Sequence, residues 1–131
     1  MKNESYIVSA LRTPIGSFGG QLSSFSAPKL GAEVIKALTN SVEVGKAEYN
    51  EVIMGNVLSA GLGQAPARQA ALLSGLHQNI ECLTINKMCG SGLKAVMLAD
   101  NAIKSQGAHA IIAGGMESMS NAPLLMTKNP A

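Results

Sequence analysis

The residues best equipped for chemistry lie in one stretch, Asn86-Lys87-Met88-Cys89-Gly90-Ser91-Gly92-Leu93-Lys94-Ala95. A cysteine thiolate is a nucleophile. Free N–H groups and the positive end of a helix dipole favour the thiolate over the thiol. The run IECLTI (80–85) before the cysteine is apolar and rich in β-branched residues, as a short buried strand would be. After it, Leu93, Val96, Met97 and Ile103 recur at helical spacing, and Gly107 stands where a C-terminal glycine is expected. Cys89 is thus expected at the N-terminal tip of a helix. Gly90 and Gly92 are expected to let the backbone turn sharply and to leave space above the sulfur. Unpaired N–H groups at such a tip can also bind a carbonyl oxygen as it becomes an oxyanion. These features fit acyl transfer onto sulfur. A packed structural cysteine at a tight turn is the competing reading, and the physics of the residues leaves both open.

Other candidates carry less. Cys82 and Cys89 are seven residues apart, a spacing open to a redox pair, but Cys82 lies inside the apolar run and reads better as a core thiol. His77 and His109 occupy connection-like positions and read as surface histidines. Glu117 follows a glycine pair and is expected to serve as a hydrogen-bonding group at least as readily as a catalyst. Met88, Met97, Met116, Met119 and Met126 read as adaptable packing around the site. Gly90-Ser91-Gly92 lacks the spacing and the Lys-Ser/Thr ending of a phosphate loop, and Gly61-Leu62-Gly63 lacks the third glycine of a dinucleotide fingerprint. No metal-ligand spacing occurs.

The elements needed to hold Cys89 are legible along the chain. Strands are expected at 6–10, 51–57, 80–85 and 110–113. Helices are expected from Ser26 and Pro28 to about Thr39, from Pro66 to Leu73, and over 93–105. Residues 11–20 and 59–65 are glycine-marked loops, 40–50 an exposed connection, and 116–131 a stretch of helix and loop character. Continuous rather than alternating hydrophobicity argues for an α/β fold of βαβαβαβ order, with a mostly parallel sheet covered by helices on both faces. Sites in such sheets lie beyond the carboxyl ends of the strands, which is where Cys89 and Gly114–Glu117 both fall. The whole of 1–131 reads as one domain without an internal linker.

Composition limits the partners. Hydrophobic residues make up 47% of the 131 residues and charged ones 14%, against about 25% charged in an ordinary soluble domain. Such a chain has little polar material to cover itself, so some apolar faces are expected to meet other protein. A net charge of +2 with scattered basic residues excludes nucleic acid as the expected partner. Two cysteines, no secretory apolar region, no visible transit peptide and no long apolar run point to a reduced, soluble setting, expected to be cytoplasmic, with no membrane.

The same residues carry a resemblance. NKMCGSGLKA (86–95) resembles the nucleophile segment of the thiolases, the acetyl-CoA acetyltransferase family. IVSALRTPIGSFGG (7–20) resembles the family's opening strand and loop. MGNVLSAGLGQAPARQAA (54–71) resembles its interface strand, loop and helix, and AGGMESMSN (113–121) the segment after the fourth strand. Four blocks in the family's order span nearly the whole chain, and those flanking the nucleophile favour thiolase over the related condensing enzymes. The short-chain biosynthetic type is the better match. The resemblance implies a reversible condensation of two acetyl-CoA to acetoacetyl-CoA and CoA, through an acyl-thioester on Cys89, with the Cys89 N–H as one oxyanion donor. Coenzyme A thioesters are then substrates, and no cofactor is implied. A homodimer or homotetramer is implied for the parent protein.

The departure from the family is equally specific. The chain resembles only the N-terminal portion of a thiolase, and is expected to be an incomplete thiolase N-terminal domain with 116–131 opening the following loop region. The family's activating histidine in a Gly-His-Pro segment and its proton-moving cysteine in a Cys-x-Gly segment have no counterpart here. His77 stands in Leu-His-Gln, His109 in Ala-His-Ala and Cys82 in Glu-Cys-Leu. The resemblance places the family's coenzyme A-gripping loop region beyond Ala131. The alternative to an active enzyme piece is therefore a catalytically inactive fragment with a structural or interaction role. A redox switch through Cys82 and Cys89 forms a third class.

Overall fold

The computed structural model describes residues 4–45 and 48–128. The connection expected at 40–50 thus includes two residues outside the described ones, as does the end of the stretch expected at 116–131. Three strands, β1 (Glu51–Gly55), β2 (Glu81–Ile85) and β3 (Ile111–Gly115), form one parallel sheet in the order β2-β1-β3. Three helices accompany them: α1 (Ala27–Ser41), α2 (Pro66–Leu73) and α3 (Ser91–Lys104).

The layers follow from strand alternation. Val52, Met54 and Ile112 point to one face, where they pack with Ala27 and Ile35 of α1 and Ala67, Ala70 and Ala71 of α2. Ile53 points to the other face, where Ala95 and Ala99 of α3 meet it beside Ile85, Ile111 and Ala113. Small alanines on the helices let them lie close to the sheet. Both faces of the sheet are covered, as the continuous hydrophobicity requires. In β1, Val52 to Gly55 are all buried, as befits the central strand.

Local signals set the helix ends. Pro28 falls in the first turn of α1 and Pro66 opens α2, each where a missing N–H costs nothing. Thr84 Oγ1 accepts a hydrogen bond from the Ala67 N–H at 2.9 Å, so a strand residue caps α2. α2 stops at Ser74, and Gly75 follows in the left-handed region at φ +85°. α3 ends differently from expectation, because Gln106, rather than Gly107, takes the left-handed conformation at φ +64°.

The first expected strand does not form. Residues 6–10 carry no strand, and Tyr6, Ile7 and Val8 are 74%, 80% and 75% exposed. The segment faces β3, α1 and α3 across a cleft of about 330 Å³. It is held by side chains instead: Ser5 bonds the Asp100 carboxylate on α3, and the Ser9 and Ser41 hydroxyls lie 3.1 Å apart. β-propensity makes a run suited to a strand, but only a backbone ladder makes one. Among the described residues the sheet therefore has three strands, not four.

Candidate active site

At the carboxyl end of β2 the chain reverses into α3 through a bonded turn. Asn86 Oδ1 accepts from the Met88 N–H at 3.0 Å, and Lys87 O accepts from the Gly90 N–H at 3.1 Å. Met88 O accepts from the Ser91 N–H at 3.1 Å. Ser91 is buried, and its hydroxyl accepts from the Lys87 N–H at 2.8 Å while donating to Met88 O at 2.6 Å. The strained residue of this turn is Met88, at φ +48°. Gly90 has φ −90°, so the sharp bend expected of the glycines is made by a methionine. A Cβ on Gly92 would stand 3.8–3.9 Å from the backbone of Gly114 and Gly115, an ordinary contact with β3.

The turn rests on β1. A Cβ on Gly55 would stand 2.6 Å from Ser91 Cβ, 2.8 Å from Ser91 C and 2.9 Å from Gly92 N. Strand and helix tip touch backbone to backbone there, and only glycine permits it.

Cys89 lies one residue before Gly90, the N-cap of α3, with its thiol free and exposed. Among the described residues, the N–H groups of Cys89, Gly92 and Leu93 meet no acceptor. Cys89 faces a cleft of about 1010 Å³ whose lining includes 11–18, Val57 and Leu58 after β1, Met88, Cys89, Ser91 and Gly92, and 115–120 at and after the end of β3. Two segments predicted to share the rim do share it. The arrangement offers a nucleophile, free N–H donors beside it, and an apolar space for a substrate.

Glu117 occupies the same rim, half-buried. Its Oε1 accepts from Asn56 Nδ2 at 2.8 Å and from the Leu58 N–H at 3.1 Å, and its Oε2 from the Val57 N–H at 2.9 Å. Asn56 Nδ2 also reaches Met116 O at 3.2 Å. The hydrogen-bonding role expected of Glu117 is what the structure contains. Its partners had no signal in sequence, because they lie about sixty positions away.

The remaining candidates are not brought to Cys89. His77 and His109 are exposed at the amino-terminal ends of β2 and β3, the opposite end of the sheet. His109 is anchored there by its N–H, which donates to Asn50 Oδ1 at 2.8 Å. Cys82 sits in β2 and packs against the α1/α2 side of the core, where burial pushes its thiol up despite the nearby Arg68. The path from Cys82 to Ile85 alone is about 10 Å of strand, and both thiols are free. No group of metal-ligating side chains occurs among the described residues.

A parallel sheet between helix layers, with an exposed cysteine at the strand-to-helix turn, defines an α/β protein with a free thiol at a helix tip. Residues 5–131 match the family described as "Thiolase, N-terminal domain", and the chain belongs to the thiolase family. It is 58% identical over 126 residues to the acetyl-CoA acetyltransferase of Escherichia coli strain K12, covering 96% of this chain and 32% of that protein. With the acetyl-CoA acetyltransferase of Schizosaccharomyces pombe it shares 51% identity over 129 residues, 98% of this chain and 33% of the relative. A crystal structure of the Acat5 thiolase from Ascaris suum in complex with coenzyme A superposes with a TM-score of 0.94 at 42% identity, over 97% of this chain and 33% of the other. The chain thus spans about a third of the length of the relatives it matches.

Proposed function

We propose that Cys89 is the acyl-accepting nucleophile of an acetyl-CoA acetyltransferase. The carrying observation is its exposed thiol at the tip of α3, beside N–H groups without acceptors. In the first half-reaction the thiolate adds to the carbonyl carbon of acetyl-CoA. The C–S bond to coenzyme A then breaks, the coenzyme A thiolate leaves, and the acetyl group stays on Cys89 as a thioester. The free N–H groups bear the oxyanion between these steps. In the second, an acetyl-CoA that has lost an α-proton attacks this thioester through carbon, freeing the Cys89 thiolate and forming acetoacetyl-CoA. The relatives' names, with 58% identity to one of them, support acetyl-CoA as the substrate.

The ionisable side chains bordering the cleft with Cys89 are Arg12 and Glu117, and no histidine is among them. A general base contributes about 10²–10⁴-fold in rate. This favours a second reading for the 131 residues by themselves: they are catalytically inactive with a structural or interaction role, and the groups that activate Cys89 and move protons come from the rest of a thiolase. The exposed Leu93, Val96 and Met97 on α3 support a surface that another part of the protein or a second subunit covers, as in a homodimer or homotetramer. Two free thiols favour a reduced, cytoplasmic setting.

The test is the intact mass after incubation with acetyl-CoA, beside Cys89→Ala. We expect one acetyl adduct that the substitution abolishes. An adduct that survives Cys89→Ala removes Cys89 from the role, whereas folded 131 residues without an adduct favour the inactive fragment, in which Cys89 needs the histidine and coenzyme A-gripping parts of a thiolase.

A further inference from the structure

We propose that Glu117 is a positioning residue that fixes the wall limiting the size of the group Cys89 can accept, an inference that rests on Cys89 being the acylated residue. The sheet pairs β1 only as far as Gly55. Beyond it, Glu117 accepts from the Asn56 amide and the Val57 and Leu58 N–H groups at 2.8–3.1 Å. Asn56 is 2% exposed, so this junction is made in the interior. Val57 and Leu58 line the same cleft as Cys89, and Glu117 reaches them from the segment after β3.

The chemistry selects a carboxylate. Acceptors are needed at both terminal oxygens, Oε2 for Val57 and Oε1 for Leu58 and Asn56. An amide supplies an acceptor at one position and a donor at the other. Glu117→Gln therefore sets an N–H against an N–H and releases part of the wall. Apolar walls discriminate by small volumes, since one methylene is worth about 10–200-fold.

Alkylation of Cys89 in the complete protein tests this without coenzyme A. The readout is the ratio of rates for N-hexyl iodoacetamide and iodoacetamide, in which the thiolate fraction cancels. In Glu117→Gln the ratio should change about threefold or more. A ratio equal to the parent's overturns the proposal, whatever happens to stability. Should that variant fail to fold, Leu58→Ala carries the test, and an unchanged ratio there overturns the proposal equally. A Cys89 that refuses acetyl from acetyl-CoA while the ratio still shifts supports the wall and defeats the acyl-transfer reading alone.

Discussion

Met88 and Ser91 hold Cys89 between them. Ser91 ties the turn by accepting from Lys87 and donating to Met88, and Met88 supplies the left-handed step. A left-handed residue with a Cβ costs about 1–2 kcal/mol, and a β-branched side chain fits it worst. Met88 is 67% exposed, so a substitution there loses little packing. Met88 already carries that cost, so Met88→Val should lower stability only by the β-branched increment, on the order of 1 kcal/mol or less, read in denaturant titration. An unchanged midpoint would mean that the turn is free to relax.

At the scale of elements, the site depends on how closely β1 approaches α3. The atoms a Gly55 side chain would meet are the Cβ and backbone of Ser91 and the backbone of Gly92, none at the end of a flexible chain. Gly31 differs, because its nearest neighbour is Met116 Sδ, which can move. Gly55→Ala is therefore expected to cost about 1–3 kcal/mol and to shift the helix tip, altering the rate of Cys89 alkylation. Gly31→Ala should leave that rate at the parent's value. Equal effects of the two substitutions would contradict the backbone contact.

Over the whole molecule, charge is scarce and unevenly placed. Glu51 and Glu81 are register partners at the amino ends of β1 and β2. Burial, and then the Glu81 charge, raise the Glu51 carboxyl above its usual value of 4.5. The sign follows directly. When both states are protonated, well below pH 4.5, the pair costs nothing; as pH rises past the unfolded value the fold alone resists ionisation, and the cost persists at neutral pH. Glu51→Gln should therefore stabilise the fold at pH 7 by about 0.2–1 kcal/mol, the range for like charges facing across strands. The gain should fade as pH is lowered through the carboxylate range. A gain independent of pH would exclude charge as its cause.

Sequence alone determined what is local. Apolar runs and proline and glycine punctuation marked β1, β2, β3 and the three helices to within a few residues, and the pattern around Cys89 placed it at a helix tip. Each of these depends on neighbours a few positions apart. Tertiary structure decided what depends on distant partners. Residues 6–10 have the composition of a strand but join no backbone ladder among the described residues, so the sheet stops at β3. Gly55 owes its necessity to Ser91, and Glu117 its role to Asn56, Val57 and Leu58. Met88 took the left-handed step because the Ser91 bonds over-determine the turn, although glycines stood beside it. Short-range patterns fix which elements form; hydrogen bonds and close contacts between segments fix which residues the site cannot do without.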